Sequence, residues 1–238
     1  MSKPGSGGTK VRSQLSRDRV LSGAIAVADA GGIGALTIRT LAEEIGVKPM
    51  SVYHYVANKD EIIDSIVDIV YSEIDLPEPG GDWRRQMRRR ADSARQVLAR
   101  HPWATALLQS RLNPGPATLC HHNAFIGTLR TAGFSVELTA HAFALIDSYV
   151  FGFALSENAL PIHGPESVAE TAGMMMEQYF DPDAYPALLE FTTEHIMRPD
   201  YDFGAEFAFG LTVILDGLAG ALPDNGTASG RSLHGPDS

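Results

Sequence analysis

LTIRTLAEEIGVKPMSVYHYVANK, residues Leu36 to Lys59, reads as a helix, a tight turn, a second short helix and the first turn of a third. Ile38, Leu41, Ala42 and Ile45 recur at the spacing of a short amphipathic helix, and Thr37 stands before them as its N-cap. Gly46 falls where a helix end favours a residue free to take positive φ, and Val47 supplies an apolar anchor for the turn. Pro49 suits the first turn of the next helix, expected over roughly Pro49 to Val56. Val52 and Val56 are its inward positions. Met50, Ser51, Tyr53 and His54 form a polar and aromatic outer face, suited to base edges, thymine methyls and phosphates in a DNA major groove. A plain helical hairpin in a bundle is the competing reading of the same turn.

In residue type and spacing this stretch resembles the DNA-binding signature of the TetR family of bacterial transcriptional repressors. The resemblance is carried by Leu36-Thr37, Arg39, Leu41-Ala42, Gly46-Val47, Tyr53 and Asn58-Lys59, and it continues through the flanking helices. It implies an all-α chain, with a three-helix helix-turn-helix reading head linked by a fourth helix to a larger ligand-binding and dimerisation domain. The expected DNA contacts are Arg39, Lys48, Ser51, Tyr53, His54, Tyr55 and Lys59, with Lys59 mostly on phosphate and Arg39 or His54 nearer base edges.

Charge divides the chain in the same place. The 238 residues carry a net −10, yet residues 1–60 hold eight Lys or Arg against five Asp or Glu, about +3, which leaves about −13 beyond. The length fits a small module joined to a larger one. Cys120 is the sole cysteine and excludes an intramolecular disulfide, and no apolar signal core follows Met1, so the expected location is the cytoplasm. The boundaries expected are a disordered arm at 1–14, the head at 15–60, the regulatory and dimerisation domain at 61–223 and a disordered tail at 224–238.

Ser16 caps the first helix, which buries Val20, Ala24, Val27 and Ala28 and stops at Gly31-Gly32. Asn58, with Glu61 three residues on, caps a fourth helix that runs to about Ile74. Pro77, Pro79 and Gly80-Gly81 break the pattern. Then Arg84, Arg85, Arg88, Arg89, Arg90, Arg95 and Arg100 share a helix with the apolar stripe Met87, Ala91, Ala94 and Leu98. A solvated basic face pairing with acids accounts for this run better than a second nucleic-acid site.

Asn113 to Pro116 reads as a loop, and Cys120 to Ala132 as an amphipathic helix ended by Gly133. Val136 to Asn158, capped by Ser135, and Phe203 to Leu222 are apolar nearly all round. His141, Asp147, Glu206 and Asp216 argue against membrane spans. From Arg130-Thr131-Ala132-Gly133-Phe134-Ser135 onward the order of elements resembles the regulatory domain of the tetracycline-repressor subgroup. That implies a homodimer sealed by the two long helices, with Leu211 and Leu215 expected in the seam.

The subgroup's namesake receives a drug-bound divalent cation through histidines, but Asp75 and Gln109-Ser110 stand at those places here. No two histidines are four apart, so no metal and no cofactor is expected. His141 and Asp147 do not share a helix face, and neither a nucleophile elbow nor a phosphate loop occurs, so no enzyme is expected. What remains is an apolar cavity, with Trp103, Leu107, Phe125, Phe143, Tyr149, Met175 and Tyr179 as lining and His122, Asn123 and Asp147 as polar contacts. Cys120 is expected as a small buried hydrophobe. The reading is a dimeric repressor of a pseudo-palindromic operator, released by an apolar or aromatic small molecule. The alternatives are an enzyme or carrier using the cavity, and a constitutive DNA-binding protein without an effector.

Overall fold

Helix caps set the first boundaries. The structure is a computed structural model that describes residues 15–111, 113–160, 170–174, 176, 178, 181 and 183–223. The arm at 1–14 and the tail at 224–238 therefore lie outside the described residues, among which every regular element is helical. The chain divides into two compact units: residues up to Glu73 with Arg100–Leu119, and Ile74–Ala99 with the chain from Cys120 onward.

In the first unit α1 spans Arg17–Gly31, where the Ser16 side chain accepts the Arg19 N–H and Gly32, at φ 73°, ends the helix. A single 3-10 turn, Ile33–Ala35, leads to α2, Ile38–Glu44. Thr37 and Thr40 cap α2 reciprocally, each side chain accepting the other's N–H. Gly46 takes φ 68°, which a residue with a Cβ resists, and the Val47 N–H then reaches back to the Ala42 carbonyl at 2.9 Å. Helix α3 covers only Pro49–Val52. It falls short of the expected Val56 because the Tyr55 N–H closes a tight turn onto the Val52 carbonyl, while its hydroxyl donates to the Leu15 carbonyl at 2.8 Å. Helix α4, Lys59–Ser72, starts where Asn58 accepts the Glu61 N–H. The Glu61 carboxylate accepts the N–H of Ala57, one residue outside the usual capping box. Val20, Leu21, Ala24, Leu41, Val52, Ile62 and Ile66 are buried together in this unit, the Val, Leu and Ile side chains each contributing about 1.5–3 kcal/mol of transfer free energy.

The same unit contains a segment that the charge division assigns elsewhere. Helix α6 spans Ala104–Ser110, and α7, Pro116–Thr131, begins four residues before the expected Cys120 because Pro116 occupies its first turn. Here α4 presents Asp60, Asp64 and Asp68 on one face, and Arg111 pairs with Asp64. Asp68 accepts the Ala117 and Thr118 N–H groups at 3.1 and 2.9 Å, a carboxylate on a helix N-terminus. Asp29 of α1 accepts the Trp103 indole N–H at 2.6 Å and lies 2.7 Å from His101 Nδ1.

The second unit holds α5 (Trp83–Arg100, up to Ala99), the remainder of α7, α8 (Val136–Ala159), α9 (Pro186–Phe191) with a π turn at Thr192–Ile196, and α10 (Phe203–Gly220). Arg84, Arg89 and Arg95 pair with Asp216, Asp75 and Glu157, so much of the arginine run is a paired outer face. Helices α8 and α10 pack closely: a Cβ on Gly210 would overlap the Tyr149 hydroxyl, which donates to the Glu206 and Phe207 carbonyls at 3.1 Å.

Two expectations are corrected here. Leu211 and Leu215 are 0% and 2% exposed, inside the unit's own core with Phe207 and Leu218, because they repeat along the inner face of α10. Phe209 and Val213 occupy its outer face at 71% and 56%. Cys120 is exposed rather than buried.

Candidate functional site

The first turn of α3 and the residues beside it form the outer face of the head. Met50 is 72% exposed and Tyr53 47%, with Lys48, His54 and Lys59 exposed beside them in the chain. Ser51 is half-buried, and its N–H bonds the Lys48 carbonyl. Among the described residues Arg39 is ion-paired only to Glu43 one turn on, a contact worth a few tenths of a kcal/mol, roughly 0.3–0.5, that an incoming phosphate or base can replace. Tyr55 is half-buried with its hydroxyl held inside the fold. Met50 belongs to the expected outer face though not to the named contacts, and its exposure beside Tyr53 and His54 agrees with that face.

Lys59 opens α4 next to Asp60 and Glu61, whose charges oppose a phosphate. Arg17 lies 3.3 Å from Glu61, and Arg111 lies 3.8 Å from Asp60. The Ala57 N–H, ahead of burial and Arg17, governs the Glu61 carboxyl and holds it below its ordinary range.

In the second unit the structure brings together His122, Phe125, Phe143 and Asp147. Phe143 meets His122 and Phe125 edge-on, with ring centroids 5.2 and 5.0 Å apart. Asp147 is held by Arg90 at 2.7 Å, and the Arg90 guanidinium carbon lies 4.9 Å from the centre of the Phe125 ring. Tyr149 belongs to a different cluster, stacked on Phe207 and near Phe153, over which Arg95 lies. Asn123 is exposed. Trp103 and Leu107 fall in the first unit, Trp103 buried against Asp29. Met175 and Tyr179 lie outside the described residues. A groove of about 460 Å³ lined by Arg130, Phe134, Leu138, His141 and Pro223 contains none of the expected effector contacts. Among the described residues no three His, Cys, Asp or Glu side chains gather as a metal site.

Arg90 is the residue that sequence reasoning missed. Its charge assigns it to the solvated arginine face, yet it lies three residues after Met87 and four before Ala94, in register with the apolar stripe. The structure buries it to 1% exposure.

Burial holds the His122 imidazole below its ordinary 6.5, with Asp147 opposing the shift and Arg90 adding to it. As pH falls through 6.5, the unfolded chain takes up this proton before the folded one does. Stability contributed by neutral His122 is therefore full above 6.5 and is lost as pH drops toward the lowered folded value. Urea midpoints of the wild type should decline over that window more than those of His122→Gln. Parallel declines would place the titration on other groups.

Residues 20–66 match the family described as bacterial regulatory proteins, tetR family, and residues 76–222 match the tetracyclin repressor-like C-terminal domain. The HTH-type transcriptional repressor DrrR1 of Streptomyces coeruleorubidus is 32% identical over 216 residues, 86% of this chain and 77% of the relative. The tetracycline repressor protein class A from transposon 1721 of Escherichia coli is 28% identical over 209 residues, 87% of this chain and 91% of the relative. The structure of ActR from Streptomyces coelicolor in complex with actinorhodin superposes with a TM-score of 0.72 at 26% identity, covering 89% of this chain and 99% of ActR. The two family matches together span both the helix-turn-helix head and the helices that follow it, and the chain belongs to the TetR family of bacterial transcriptional regulators.

Proposed function

We propose that the protein is a cytoplasmic, homodimeric repressor that binds a pseudo-palindromic operator and leaves it when an aromatic small molecule binds the regulatory domain. The observation that carries this reading is the exposed face of Met50, Tyr53 and His54 beside Lys48 and Lys59, on a helix-turn-helix belonging to a family of regulators. Residues 15–60 serve as the head and 61–223 as the regulatory and dimerisation domain, with 1–14 and 224–238 as arm and tail. Tyr53, His54 and Arg39 address base edges, Lys48, Ser51 and Lys59 address phosphate, and Tyr55 fixes the exit from α3.

The ring cluster of His122, Phe125 and Phe143 with Asp147 is the effector site in this reading. The complex of ActR with actinorhodin, a related regulator with a small molecule bound, supports an effector-responsive reading. An effector lowers operator affinity only by binding the non-binding arrangement of the heads more tightly, by about 1.4 kcal/mol per tenfold loss. The mechanical element is α4. Lys59 stands at its operator end, and Arg111, Ala117 and Thr118 grip its Asp64 and Asp68, on a segment continuous in the chain with α5 and α7.

Lys59→Ala tests the head assignment. With an operator selected from random DNA, the variant should bind every sequence more weakly by a common factor, and its log affinity against log salt should be shallower by about one unit. An unchanged slope removes Lys59 from the phosphate contacts.

A further inference from the structure

We propose that the side-on edge of Arg90, formed by Nε–H and Nη2–H, receives the carboxylate of an aromatic carboxylic acid whose ring system packs with His122, Phe125 and Phe143. This rests on the reading above of that cluster as the effector site and names the class of molecule it takes.

The starting point is an imbalance of donors. Arg90 is 1% exposed, and its Nη1 donates to Asp147 Oδ1 at 2.7 Å. Among the described residues its Nε and Nη2 have no acceptor. Nε and Nη2 carry three of the guanidinium's five N–H groups, and these three stay unmatched in a place where water is scarce, an arrangement that proteins rarely retain. A hydrocarbon side chain at this register would simply continue the stripe of Met87, Ala91 and Ala94.

Geometry selects the acceptor. On a guanidinium, Nε–H and the nearer Nη2–H point the same way, and their spacing matches the two oxygens of one carboxylate. Asp147 engages Nη1 instead, which neutralises the guanidinium and fixes its plane while leaving the side-on edge available. An incoming carboxylate therefore meets a neutral pair rather than a bare aspartate.

The surroundings select the rest of the molecule. The Phe125 ring lies 4.9 Å from the Arg90 guanidinium carbon, a cation–π contact. Phe143 stands edge-on to both Phe125 and His122, and both Phe143 and His122 are only half-buried. A planar ring packed on these two half-exposed groups meets aromatic surface beside the guanidinium that Phe125 faces. An aliphatic acid would meet the same donors without the ring contacts.

The test uses the full chain and two matched pairs of probes, 2-naphthoate with 2-naphthamide and anthracene-2-carboxylate with its amide, titrated by calorimetry. Each amide keeps the rings and one oxygen but replaces the second acceptor by a donor. The wild type should bind each acid about tenfold more tightly than its amide, the difference expected of a charge-assisted bidentate contact. Arg90→Lys keeps a cation beside Asp147 but lacks the fork, and it should lose most of that preference. Arg90→Gln with Asp147→Asn removes both charges and should lose all of it. Equal affinities for acid and amide in the wild type, failure of the wild type to bind either acid, or a preference that survives in the double variant would each overturn the proposal. Operator affinity at saturating acid separates this site from the effector reading. An Arg90-dependent acid that leaves operator affinity unchanged supports the carboxylate site and sinks the switch; release by neutral aromatics alone, with no acid preference, does the reverse.

Discussion

Phe209→Glu combined with Val213→Glu is expected to leave a folded monomer that binds operator at least about a hundredfold more weakly than the wild type. Single exposed apolar side chains are ordinary on a protein surface, but these two are one turn apart on α10, at 71% and 56% exposure. Leu145 and Leu155 of α8 are exposed in the same unit at 51% and 56%. In the homodimer proposed above, a second copy related by twofold symmetry would cover such surfaces with the same residues and supply a second head roughly 34–36 Å away for the next turn of the major groove. Separating the copies turns a two-headed encounter into two independent weak ones. Sedimentation velocity should show the monomer, and anisotropy titration with operator should show the loss. Leu211→Glu is the control with the opposite signature: it places a charge inside the unit's own core, so its defect is unfolding rather than dissociation. A double variant that sediments as an unaltered dimer would move the interface away from α10.

The choice between those faces shows where sequence reasoning stops. Helix α10 is apolar on both sides, so periodicity identifies the helix but not which side its own chain covers. The head was more legible because its determinants are local: Thr37 with Thr40, the positive φ at Gly46 and the Asn58 cap each act within a few residues. The early end of α3 was not legible, since it accompanies a hydrogen bond from Tyr55 to Leu15, forty positions away in the chain. The Asp60, Asp64 and Asp68 face of α4 could be read as a stripe. Its partners could not, because Arg111 and the α7 amides reach it across long sequence separations. Arg90 is an intermediate case: its register placed it inside, and its charge argued it out. Only the presence of Asp147 on α8 resolves that conflict.

Asp147→Ala is accordingly expected to destabilise the protein by about 3–5 kcal/mol, among the larger effects a single substitution can have here. Removing the carboxylate does not remove the guanidinium, which stays buried with Nη1 joining Nε and Nη2 in lacking an acceptor among the described residues. That residual charge, more than the lost contact, sets the size of the effect. Arg90→Met with Asp147→Leu removes both charges, replaces them with hydrocarbon of comparable bulk and should be close to neutral or stabilising, since the attraction within a buried pair often fails to recover the free energy of taking both ions out of water. The comparison is a pair of urea denaturation curves at pH near neutrality, with the double variant unfolding at the higher midpoint. A loss below about 1 kcal/mol for Asp147→Ala would mean that solvent reaches Arg90 as it reaches a surface pair, and the burial on which the carboxylate site depends would not hold in solution. If the single variant is severely destabilised while the doubly apolar one is not, the ion pair is contributing little net stability, and its presence at the centre of the ring cluster is better explained by what Arg90 has left to bind.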